Sequence, residues 1–192
     1  NLDQTENADG DQEIGPADRT FTGNPNPKFT YGFNLGFTYK SWDLTTFIYG
    51  SYGNDILNFN SWWIDFWPSF QGQKSQELLY DSWTPDRTGT DVPKASNHST
   101  FSNNTVWNSY YVEDGSFLRM KNLTLGYTLP ESLLGKVGVK SLRVYLQGVN
   151  LFTITKYSGL DPELGGNDLA FGSDTGNYPN VKQIIFGLNL TL

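Results

Sequence analysis

Large apolar residues alternate with small or polar ones without a break along Phe29–Tyr39. Phe29, Tyr31, Phe33, Leu35, Phe37 and Tyr39 hold the odd positions, and Thr30, Gly32, Asn34, Gly36 and Thr38 the even ones. That period of two belongs to a β-strand, whose successive side chains point to opposite faces. One face is therefore aromatic bulk and the other is wettable. The run is also long. A globular strand takes about five or six residues, whereas this one, at roughly 3.4 Å per residue and a tilt of about 40°, rises roughly 25–30 Å, the height of an apolar membrane band.

The same ruler recurs along the chain, and the spacing predicts strands over 28–39, 42–52, 116–129, 141–153 and 182–192. Pro25 and Pro27 remove two backbone donors just ahead of the first strand, and Lys40-Ser41 turn it tightly into the second. In the third, Leu123, Leu125, Tyr127 and Leu129 oppose Asn122, Thr124, Gly126 and Thr128, and Pro130 stops the run. In the fourth, Leu142, Val144 and Leu146 alternate with Arg143, Tyr145 and Gln147. An Arg143 turned inward is tolerated in a wet lumen but not against lipid. The fifth puts Ile184, Phe186, Leu188, Leu190 and Leu192 on one face. Connections alternate between long (1–27, 53–115, 154–180) and short (40–41, 130–140), so every long loop falls on one side. The expected fold class is all-β, an antiparallel transmembrane β-barrel wall with its long loops outside.

Composition narrows the alternatives. No stretch approaches the run of about 18 apolar residues that a spanning helix needs, so helical membrane proteins are excluded. Barrel strands escape that test, because alternation keeps their mean polarity that of a soluble protein. A net charge of −7 without a basic stripe argues against nucleic acid. The absence of Cys removes disulfides, zinc ribbons and thiol chemistry. The chain opens without Met or an apolar leader, on an acidic run at 1–13, and is expected to be a piece of a longer protein.

Four runs, in order, resemble the C-terminal part of SusC/RagA-type TonB-dependent transporters. They are 24–33 (NPNPKFTYGF), 50–56 (GSYGNDI), 113–122 (EDGSFLRMKN) and 150–163 (NLFTITKYSGLDPE); Tyr178-Pro179 and the closing Gly187-Leu188-Asn189-Leu190 also fit. The resemblance implies a plugged barrel of about 22 strands, of which this chain would supply the last five or so. It implies an outer-membrane location in a Gram-negative bacterium of the Bacteroidota, with the plug and the TonB-engaging segment lying before Asn1. It further implies a SusD-like lipoprotein acting as a lid, import of oligosaccharides or oligopeptides, contact with outer-membrane lipid, no cofactor and no enzymatic activity.

Loop 53–115 holds five of the six tryptophans. Trp62, Trp63 and Trp67 lie close together there and are the candidate ligand or lid contacts, since aromatic platforms suit the apolar faces of sugars; the simpler reading is that they pack the loop on itself or against the lid. Asp161, Glu163, Asp168 and Asp174 offer hard oxygens to calcium but lack the spacing of an EF-hand, and a solvated turn accounts for them. His98, the only histidine, sits with Asn97, Ser99 and Thr100 and suggests a catalytic triad only weakly. Asn97-His98-Ser99 and Asn103-Asn104-Thr105 match glycosylation acceptors. The rival to the transporter is a soluble β-sandwich carbohydrate-binding module, which also uses alternating strands and exposed tryptophans. A glycoside hydrolase is a distant third.

Overall fold

The alternating segments pair into one sheet. In the computed structural model, β1 (Phe29–Tyr39) and β2 (Trp42–Tyr52) form a hairpin in register from Phe29↔Tyr52 to Tyr39↔Trp42. Lys40 takes a φ of 53°, the left-handed conformation that a two-residue hairpin turn demands. The structure describes residues 15–96, 98, 105–135, 138–165 and 170–192. The acidic run 1–13, Asp168, and Asn97, Ser99, Thr100, Asn103 and Asn104 lie outside the described residues.

Two short strands, β3 (Asp55–Asn58) and β4 (Val112–Asp114), precede β5 (Phe117–Thr128); β6 (Ser141–Val149), β7 (Thr153–Thr155), β8 (Ser173–Asp174) and β9 (Gln183–Thr191) follow. The large sheet runs β1-β2-β5-β6-β9, antiparallel throughout, with β7 continuing along β5 past the end of β6. Directly paired residues share a face. One face therefore collects Phe33, Leu35 and Phe37, then Leu44 and Ile48, Leu123 and Leu125, Val144 and Leu146, and Phe186 and Leu188. Much of it is bare, with Phe37 at 65% exposure and Phe186 at 71%. A β-sandwich would cover such a face with a second sheet. A barrel wall leaves it for lipid.

The strands are not uniform. Between the levels Phe47–Asn122–Val149 and Tyr49–Arg119–Thr153, β2 has one residue, Ile48; β5 has Met120 and Lys121; and the β6–β7 strand has Asn150, Leu151 and Phe152. Lys121 is the extra residue of a β-bulge. It changes the parity of β5, so that Leu118 and Met120 share the apolar face with Leu123, Leu125 and Tyr127. The regular strand β6 accordingly ends at Val149, short of the expected 153, because Asn150 turns left-handed at φ 51° and its N–H bonds Lys121 O at 3.1 Å.

The long connections supply a second compact unit, drawn from the described residues of 15–26, 54–114 and 157–177. The sequence pattern of 53–115 shows no strand period, yet β3 pairs antiparallel with β4 and parallel with β8, in the order β4-β3-β8. Asn58 ends β3 and caps the helical turn Phe59–Ser61, which runs on into the π-helical turn Trp62–Phe66. Asp65 then holds Ser75 through its N–H and its hydroxyl, both at 2.8 Å, and Ser75 caps the helix Gln76–Asp81. Trp62, Phe66, Leu78, Val92 and Tyr111 close over one another as a core. Taking five large apolar residues out of water contributes on the order of 10 kcal/mol toward packing these loops on one another, with conformational entropy set against it.

Candidate functional site

On the second face of the sheet, polar side chains meet across strands. Arg143 on β6 reaches over β5 to Asp43 on β2, with Nε–Oδ1 at 2.9 Å and Nη2–Oδ2 at 2.5 Å. The residue crossed is Gly126, where a Cβ would strike both the guanidinium and the carboxylate. Tyr145 lies under the Arg143 guanidinium at 5.1 Å and covers Gly187 of β9 in the same way. Farther along, Asn122 Oδ1 accepts from Thr124 Oγ1 and Gln147 Nε2, both at 3.1 Å. Arg119 is 3% exposed and donates from Nε to Thr153 Oγ1 at 2.7 Å. This face is a wettable wall whose Arg143 charge is matched on the wall itself.

In the loop unit the tryptophans take different roles. Trp62 is buried, and its indole N–H donates to Thr105 O at 2.9 Å. Trp63 and Trp67 stack nearly parallel, 5.2 Å apart with planes at 8°, and Trp63 keeps an exposed edge. Trp107, which the sequence does not single out, is the most exposed of the group at 54%, held by edge-to-face contacts to Phe59 and Trp62. Burial pushes the Tyr110 phenol up to about 12, with the charges of Glu77, Asp65 and Glu113 adding to it. Burial likewise pushes Tyr111 up, reinforced by Tyr110 and Asp65.

The acidic residues are absorbed by the loops themselves. Asp174 accepts the Tyr157 hydroxyl at 2.6 Å on one oxygen and the Gly176 N–H at 2.9 Å on the other. Burial and that hydrogen bond push the Tyr157 phenol up. Asp161 caps the Glu163 N–H at 2.9 Å. Glu113 on β4 binds Asn58 Nδ2, Ser158 N and Ser158 Oγ at 2.7–2.8 Å and so joins β3 to the segment after β7. No group of His, Asp or Glu among the described residues is arranged to hold a metal ion. His98 is exposed, and its backbone bonds Ser96 and Thr105.

Residues 15–25 lie along this unit. Asn24 and Asp55 exchange two hydrogen bonds at 2.8 Å, and Pro25 packs on Gly172, whose missing side chain leaves room for it and whose φ of 77° also favours glycine. Between this strap and the segments 105–109 and 171–173 opens a cleft of about 900 Å³. Leu57, Trp62 and Val112 belong to its lining, with Trp107, Asn108 and Phe171 and, on the strap, Asp18 and Arg19.

A long-stranded antiparallel wall, apolar on one face and polar on the other, whose long connections pack as a unit of their own, has the make-up of part of an outer-membrane β-barrel. No family model matches it. It is 39% identical over 189 residues, 95% of its length, to a TonB-dependent receptor of Formosa agariphila. It is 39% identical over 83 residues to the TonB-dependent receptor SusC of Bacteroides thetaiotaomicron. The structure of the RagAB peptide transporter superposes on 88% of the chain with a TM-score of 0.73 at 36% identity. The chain spans only 18% of the first of these receptors and 18% of the superposed chain. It belongs to the SusC/RagA-type TonB-dependent transporters, whose members are receptors and transporters, not enzymes.

Proposed function

We propose that this chain forms wall and outer mouth of an outer-membrane importer that takes up oligosaccharides or oligopeptides under the drive of TonB. A SusD-like lipoprotein closes over the loop unit, and the plug and remaining strands come from the rest of the same protein. The observation that carries this reading is the predominantly apolar face that runs across β1, β2, β5, β6 and β9, backed by the polar layer of Asp43, Arg143, Asn122 and Gln147. A lipid-facing exterior around a wet interior requires this pairing of faces. The similarity to the RagAB peptide importer and to SusC supports both the energised import and the two-component assembly.

The test is made on the complete transporter in its native membrane. Uptake of labelled oligosaccharide and peptide pools is measured with and without TonB, and the detergent-purified particle is analysed for a lipoprotein partner. Excising 60–110 and bridging the gap with a short flexible linker is expected to leave an assembled barrel that has lost the lid or ligand capture. Unchanged uptake together with an intact complex after that excision refutes the role given to the loops. Uptake indifferent to TonB refutes the importer.

A further inference from the structure

We propose that the cleft of the loop unit is a saccharide subsite, with Trp107 as its stacking platform; this deepens the importer reading and rests on it. Trp107 leaves about half of its surface exposed, at 54%, although Phe59 and Trp62 hold it edge-to-face at 5.1 and 5.5 Å. An aromatic ring fixed before the ligand arrives costs little further ordering on binding. Phe171, 56% exposed, lines the same cleft and supplies a second apolar surface. A sugar ring offers a C–H face that packs on an aromatic plane and an equator of hydroxyls that needs donors and acceptors. Thr20, Thr22, Asn24, Asn108, Ser109 and Ser173 supply them, beside the charged Asp18, Arg19 and Asp55 of the same lining.

The volume of about 900 Å³ lies within the range of small-ligand sites and holds more than one sugar unit. An extended peptide would instead seek a free strand edge on which to continue a ladder. The edges offered here are poor: β3 is paired on both sides, and the outer strands β4 and β8 are three and two residues long. The arrangement therefore favours side-chain recognition of a hydroxylated ring over main-chain recognition of a peptide.

The test is binding to the complete transporter in detergent. An array of short neutral oligosaccharides identifies the ligand, a random hexapeptide library serves as contrast, and titration calorimetry measures the affinity. Because Trp107 also packs on Phe59 and Trp62, Phe171→Ala is tested beside Trp107→Ala as a variant that leaves that packing alone. Each substitution is expected to weaken the bound oligosaccharide by at least about tenfold, the effect of losing one stacked or apolar face. Oligosaccharide binding unchanged in both variants overturns the subsite, as does peptide binding that replaces it. A transporter that imports with TonB but binds no glycan on the array also overturns it, and that outcome leaves the importer reading intact. Binding is read independently of transport, so the occupancy of the cleft is decided even for a transporter that fails the uptake test.

Discussion

Gly126 and Tyr157 show how single positions carry this structure in opposite ways. Gly126 acts by having no side chain, so that Arg143 and Asp43 meet across it. Tyr157 acts through its hydroxyl, which satisfies the buried Asp174. Tyr157 belongs with Tyr110 and Tyr111 in a predictable pH response, since all three phenols are held neutral above the ordinary value. A raised folded value means that the stabilisation is fully present below about pH 10, the value in an unfolded chain, and is lost as pH rises through the folded one. For Tyr110 that window runs from about 10 up to about 12. Alkaline titration of the complete transporter should therefore show late tyrosinate absorbance for part of its tyrosines, rising together with protease cutting in 54–114 and 157–177. Cutting that begins well below pH 10 would contradict this. At this scale the sequence is least legible. Trp62 and Trp107 both sit in a patternless loop, and which is buried depends on how the turn Trp62–Phe66 lies on Tyr111, to which no period in the chain points.

At the scale of elements, the strands were readable because each carries its own alternation, and the bulge was hidden because it interrupts one. Leu123, Leu125 and Tyr127 announce a face at odd positions, and Leu118 and Met120 continue it at even positions once Lys121 is counted out. A regular strand that kept Lys121 would send one of the two sets to the polar face, whereas deleting Lys121 leaves both on the apolar face and removes only the kink and the carbonyl that holds Asn150. We expect the deletion variant still to give the folded, heat-modifiable barrel band in the outer membrane, lost at a lower temperature than in Lys121→Ala, which keeps the residue count. A deletion variant as heat-stable as Lys121→Ala would show that the kink contributes nothing beyond parity. The β4-β3-β8 sheet was illegible for a different reason. Strands of two to four residues show too little alternation to be told from loop, and β8 joins β3 from far along the chain.

For the molecule as a whole, the large sheet has two outer strands, β1 and β9, each paired on one side only among the described residues. Each carries a row of backbone donors and acceptors that a bilayer does not solvate, and the remedy is closure with further strands. Expressed without the rest of the transporter, the chain should not yield a stable detergent-free particle. Co-expression with the missing part should recover it in the membrane. A soluble monomer of 21.6 kDa with native sheet content would defeat the barrel assignment. The fold class was legible because the apolar face and the rhythm of long and short connections are global properties of the sequence. The packed loop unit was not, because its core is assembled from residues far apart in the chain: Trp62, Val92 and Tyr111.

The stepped insertions at Ile48, Met120-Lys121 and Asn150-Leu151-Phe152 also bear on how the wall finds its alignment. A strictly alternating strand can slide by two residues against its neighbour and still present the same face to lipid, so hydrophobicity alone leaves a set of equivalent misalignments. A kink that must nest beside the kink of the next strand removes that equivalence. Slipping β5 by two residues against β6 would move the Asn150 turn off its Lys121 carbonyl. The irregularities thus work as a key cut into an otherwise repetitive surface, and they select one alignment of the wall.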